Sequence, residues 1–120
     1  MNAFLEIKRQ WRKHVEKYFR NPVFYARILK ELARKEFGEA RVYLFGSVAR
    51  GEALPGVSDI DLLVVTPKAP EKITQKGLFI DRFHRKIGDL FTPFEIHIVT
   101  PEEFENWYSK FIKKEDLLEV

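Results

Sequence analysis

Asp59 and Asp61 stand two residues apart in the run Asp59-Ile60-Asp61-Leu62-Leu63-Val64-Val65, whose aliphatic and β-branched content predicts a strand. On a strand, side chains alternate, so both carboxylates point to one face while Ile60, Leu62 and Val64 point to the other. Two adjacent anions repel. The repulsion raises the pKa of at least one of them unless a cation sits between, and a divalent ion with oxygen ligands is the usual remedy. The same pair also suits a solvated strand start, so the two aspartates alone leave both readings open. Upstream, Gly46-Ser47 follows the short β-rich run Arg41-Val42-Tyr43-Leu44-Phe45. A glycine at such a strand-to-helix turn lets backbone amides approach a phosphate, and the serine adds a hydroxyl. Glu95, in Phe94-Glu95-Ile96-His97-Ile98-Val99, faces opposite to Phe94 and Ile96 and supplies a third carboxylate, with His97 on its own face. Three carboxylates on adjacent strands could hold two metal ions. Arg50, just after Ser47, suits either a phosphate or the solvent.

Elements that position these groups can be read around them. Phe4, Ile7, Trp11, Val15 and Tyr18 recur at helical spacing, and Asn21-Pro22 then starts a second helix carrying Phe24, Ile28 and Leu32, which ends near Gly38. Leu54-Pro55-Gly56-Val57-Ser58 reads as a turn leading to Asp59, with Ser58 orienting it. Between Lys68 and Leu90 the apolar residues Ile73, Ile80, Phe83 and Ile87 predict a helix with a front end weakened by Pro70 and Gly77. Thr100-Pro101-Glu102-Glu103 is a capping box that opens a last helix, whose stripe of Phe104, Trp107, Tyr108 and Phe111 is expected to be core. The segment 113–120 frays or extends that helix. His14 and His84 read as surface residues, and the aromatics Trp11, Tyr18 and Tyr25 as helix packing rather than a nucleic-acid stacking surface.

The chain has 120 residues and 45% hydrophobic content, enough for one domain with a packed core. With no cysteine, disulfide frameworks and thiolate metal or redox chemistry are excluded. No run of about 18 apolar residues and no signal pattern occurs, so a cytoplasmic protein without membrane attachment is expected. Net charge is only +3, but it is unevenly spread: residues 1–50 hold 12 basic and 5 acidic residues, and 51–120 hold 9 and 13. Solvated helix faces explain the basic half better than nucleic acid does.

The string Phe45-Gly46-Ser47-Val48-Ala49-Arg50-Gly51-Glu52, followed by Ser58-Asp59-Ile60-Asp61-Leu62-Leu63-Val64-Val65, resembles the DNA polymerase beta-like nucleotidyltransferase superfamily, and within it the minimal nucleotidyltransferase (MNT) group. The resemblance covers roughly residues 41–99. It implies an α/β (α+β) fold, a mixed β-sheet flanked by helices, in a single nucleotidyltransferase domain over 1–120: N-terminal helices at 1–40, a catalytic core at 41–100 and a C-terminal helix at 101–120. It implies that Gly46 and Ser47, aided by Arg50, bind the phosphates of a nucleoside triphosphate. It further implies that Asp59, Asp61 and Glu95 are catalytic and bind magnesium, two ions in all. Two features depart from the common pattern: eleven residues separate Ser47 from Asp59 where ten is frequent, and the third acidic position is Glu95, with His97 the competing occupant. The implied reaction moves a nucleoside monophosphate, AMP from ATP, onto an acceptor hydroxyl. Rival readings from the same resemblance are an antitoxin that adenylylates or binds a HEPN-domain toxin, and an inactive nucleotide-binding domain. A homodimer or a partner chain could complete the site, since little of the chain is left over to recognise an acceptor.

Overall fold

The computed structural model describes residues 2–120. Two helices, α1 (Ala3–Arg20) and α2 (Pro22–Phe37), precede strands β1 (Arg41–Phe45) and β2 (Ile60–Val65). Helix α3 (Ile73–Ile87) crosses to strand β3 (Phe94–Val99), and a C-terminal helical segment over 101–111 leads to the short strand β4 (Leu118–Glu119). The sheet order is β3-β2-β1-β4, with β2 and β3 parallel and the other neighbours antiparallel. The parallel pair is joined through α3, as a parallel pair requires.

Local signals explain most boundaries. Asn2 caps α1 by accepting the Phe4 amide at 2.9 Å. Pro22 occupies the first turn of α2, where its missing N–H costs nothing, although the Asn21 side chain makes no capping bond. Gly38 ends α2 at a φ of +80°, and its N–H returns to the Arg34 carbonyl. Thr100 and Glu103 close the capping box in both directions. The front of α3 begins only at Ile73, beyond Pro70.

Each sheet face has its own cover. Val42, Leu44, Ile60, Leu62, Val64 and Ile98 pack under α1, α2 and α3, which contribute Tyr18, Leu29, Ala33, Phe37, Phe79 and Phe83. On the other face Tyr43, Leu63, Val65 and Val99 meet Phe104, flanked by Phe45, Tyr108 and Leu117. Only Val15 and Tyr18 of the α1 apolar stripe are buried, while Phe4, Ile7 and Trp11 are exposed, so the first half of the helix contributes no buried residue. In α2 the buried positions are Ala26, Leu29, Ala33 and Phe37, and Phe24 is exposed.

The C-terminal segment departs from expectation. It runs from an α-helical turn at Pro101–Glu103 into a π-helical stretch, Phe104–Tyr108, closed by the Ser109 amide on the Phe104 carbonyl, before a last turn at Ser109–Phe111. The wider π turn breaks the 3.6-residue phase. Phe104 is therefore buried and Tyr108 half-buried, but Trp107 and Phe111 stand in solvent rather than in the core. Nor does 113–120 continue as helix: a 3-10 turn, Lys114–Asp116, is followed by β4, which pairs with β1, and the Val120 carbonyl accepts from Lys30 Nζ at 2.6 Å.

Candidate active site

β2 is buried at every position except Asp61, which is half-buried. Register places Asp61 opposite Phe45 on one side and opposite Glu95 on the other, and sets His97 against Leu63 one row further along. All of these side chains share the face that the C-terminal segment covers only in part. The result is a cluster: ligand atoms of Asp61, Glu95 and His97 all lie within 4.8 Å of one another. Asp59 is not part of it. It precedes the first residue of β2, is exposed, and acts on the cluster as a neighbouring charge.

Gly46 is fixed by two independent constraints. Its φ is +74°, and a Cβ there would fall 2.2 Å from Asp61 Oδ2. The Asp61 carboxylate therefore lies directly against the backbone at the start of the Gly46-Ser47 turn. That turn does not open a helix: the Arg50 amide closes a single turn onto the Gly46 carbonyl, the Glu52 amide returns to Ser47, and irregular chain follows to β2. Arg50 pairs with Glu52 at 3.2 Å. Ser58 holds the next turn by accepting the Leu54 amide at 3.0 Å, so it orients the approach to Asp59.

Crowding leaves an electrostatic signature. Burial, then the charge of Glu95 and that of Asp59, push the Asp61 carboxyl up to about 6, with Arg50 only partly opposing them. His97 is pushed below its ordinary value, mainly by burial, although Glu95 pulls the other way. Its Nε2 faces Glu95 Oε1 at 3.6 Å, and its Nδ1 lies 3.5 Å from the Tyr108 hydroxyl. A proton on Nδ1, donated to Tyr108, leaves a lone pair on Nε2 aimed among carboxylates. Two carboxylates and an imidazole nitrogen converging on one point, opposed only in part by the charges of Arg50 near Asp61 and Lys76 near His97, fit a divalent cation.

A nucleotidyltransferase domain model matches residues 26–120. The chain belongs to the nucleotidyltransferase domain family. A crystal structure of a provisionally assigned nucleotidyltransferase is 34% identical over 77% of this chain and 92% of its own, with a TM-score of 0.56. A second such structure, from Sulfolobus solfataricus, is 24% identical, covers 99% of this chain and 86% of its own at a TM-score of 0.53, and shares the fold. No curated protein matches the sequence. Among the described residues, no helix is long and apolar enough to cross a membrane.

Of the residues singled out from sequence, the fold brings Gly46, Asp61, Glu95 and His97 together, with Ser47 and Arg50 in the adjoining turn. Tyr108 was read only as core and Phe45 only as part of the motif string, yet both rings flank His97, with centroids 5.9 and 5.5 Å away. Only strand alternation at Phe45 could have hinted at this.

Proposed function

We propose that this nucleotidyltransferase moves a nucleoside monophosphate, AMP from ATP, onto an acceptor hydroxyl with magnesium. The observation that carries the reading is the cluster of Asp61, Glu95 and His97 set against the Gly46-Ser47 turn. Asp61 and Glu95 would hold the ion through carboxylate oxygens and His97 through Nε2, with Asp59 the nearest further carboxylate. A bound divalent ion would neutralise charge on the phosphates and lower the pKa of the attacking hydroxyl.

The chain's own groups do the rest. Gly46 leaves room for Asp61 and for backbone amides to meet a phosphate, and Ser47 offers a hydroxyl donor. Arg50, exposed enough to leave Glu52, adds positive charge beside the phosphates. The side chain of Glu95 is 55% exposed and is the carboxylate open to the acceptor, so it takes the proton from the attacking oxygen. Tyr108 holds His97 by Nδ1 and so orients Nε2. The acceptor oxygen bonds to the α-phosphorus, the bond from that phosphorus to the β-bridging oxygen breaks, and pyrophosphate leaves.

The motif string supports placement in the MNT group, for which a HEPN-domain protein is the specific acceptor to try first. The test is label transfer from ATP carrying 32P at the α or the γ position, with magnesium, to that protein or to any co-purifying protein. Transfer from the α position that Asp61→Asn abolishes supports the reading. Transfer from the γ position overturns it in favour of a kinase.

A further inference from the structure

Beside the carboxylates, on the same face of the sheet, lies a cavity of about 480 Å³ lined by Phe45, Glu103, Trp107, Tyr108, Phe111 and Ile112. It shares walls with the site. Phe45 immediately precedes the Gly46-Ser47 turn and sits in register with Asp61, and Phe45 and Tyr108 hold the His97 ring between them. A larger cavity, of about 550 Å³, opens elsewhere along the C-terminal segment, but neither Phe45 nor Tyr108 lines it.

The rings in the smaller cavity are unusual in being left unpacked. Trp107 is 63% exposed and Phe111 77% exposed, and they stack on each other at 6.4 Å between centroids and 24° between planes. It is the π-helical stretch that turns them out of the core, and π turns occur often at functional sites. Two flat, solvent-facing aromatic surfaces next to a phosphate-type turn form a stacking platform for a base. Glu103, whose Oε1 accepts from the Thr100 amide at 3.1 Å, places an acceptor-only carboxylate on the wall. The exocyclic amino group of adenine offers that acceptor a donor at the edge of the base, whereas uracil offers only its ring N3–H, flanked by two carbonyl oxygens that the carboxylate repels.

We infer that this aromatic cavity is the base subsite, in which the nucleobase of the bound nucleotide stacks on Trp107 and Phe111 while its phosphates occupy the Gly46-Ser47 turn. This rests on the nucleotide reading of the carboxylate site. Stacking is worth about 1–3 kcal/mol per base, so the platform contributes roughly fivefold to 150-fold in affinity. The only other tryptophan is Trp11, on α1, and a Trp11→Phe background leaves Trp107 as the sole indole reporter.

The experiment titrates that background, with magnesium, against ATP, UTP and inorganic tripolyphosphate, following both fluorescence and heat. The expected result is that ATP quenches Trp107 emission, tripolyphosphate binds without quenching, and UTP binds more weakly than ATP. Trp107→Ala and Phe111→Ala, followed by heat alone, each weaken ATP by about tenfold or more and leave tripolyphosphate unchanged, while Trp107→Phe recovers most of the loss. Equal affinity for ATP and tripolyphosphate, or ATP affinity indifferent to both alanine variants, overturns the base subsite and leaves the phosphate site standing. Failure of both probes to bind overturns the nucleotide reading and the subsite together.

Discussion

Asp61 and Asp89 are both largely enclosed aspartates, and their surroundings treat them in opposite ways. Burial alone would raise Asp89, but the Tyr18 hydroxyl, the Phe91 amide at 2.8 Å and His14 Nε2 at 2.8 Å outweigh it and hold the carboxyl below its ordinary value. Every partner there is a donor, and the effect is to pin the loop after α3 to the buried end of α1. Around Asp61 burial is joined by two further carboxylates, and its carboxyl rises to about 6. A carboxylate that the fold satisfies is a structural tie. One that the fold crowds with like charge would be relieved by a cation, and the contrast marks the two surroundings apart without reference to any motif.

That contrast can be broken at either end. The largest expected effect is at the crowded one: Asp61→Asn should cut magnesium-dependent nucleotide affinity by at least about 100-fold, since it removes a ligand outright, while circular dichroism shows an intact fold. Gly46→Ala should come next. It forces a positive φ on a residue with a Cβ and drives that Cβ into Asp61 Oδ2, at a cost of about 1–3 kcal/mol in denaturant unfolding together with loss of nucleotide binding. At the satisfied end, Asp89→Ala leaves the buried Tyr18 hydroxyl without its acceptor, and a loss of about 1–3 kcal/mol with unchanged nucleotide affinity is the expected pair of results.

The smallest effect sharpens the comparison through pH. Asp89 has a depressed carboxyl, so its stabilisation is present above the ordinary value of 3.8 and is lost as pH falls through its lower folded value. Asp61 has a raised one, so metal-free protein should lose stability as pH rises from 3.8 to about 6. Because Asp61 keeps partial access to solvent the loss is small, less than about 1 kcal/mol. Thermal unfolding in EDTA across this window should show a shallow decline that Asp61→Asn removes, leaving that variant slightly more stable than wild type at neutral pH.

Much of this was legible in the residues themselves. Alternation put Asp61, Glu95 and His97 on the faces they occupy, and Gly38, Pro22 and the Thr100 capping box marked helix ends because each acts through local backbone chemistry. Adjacency of the acidic strands was expected but their register was not legible; only the fold shows Glu95 directly opposite Asp61. The stripe Phe104, Trp107, Tyr108 and Phe111 misled for a definite reason. Helical periodicity assumes 3.6 residues per turn, and the π stretch at Phe104–Tyr108 breaks that phase, so two of the four rings face solvent beside the site. Likewise β4 is two residues long and held by β1, too short to leave a pattern. Asp59 lies one residue before β2, so strand alternation alone did not tell whether it joins Asp61, Glu95 and His97.

The crowded cluster should take up a divalent cation together with a nucleotide. Titration calorimetry of ATP into wild type and Asp61→Asn, each in magnesium and in EDTA, tests it most directly. The expected result is binding by wild type in magnesium alone, lost in EDTA and lost in the variant. Equal ATP binding in all four conditions, or none in any, would contradict it.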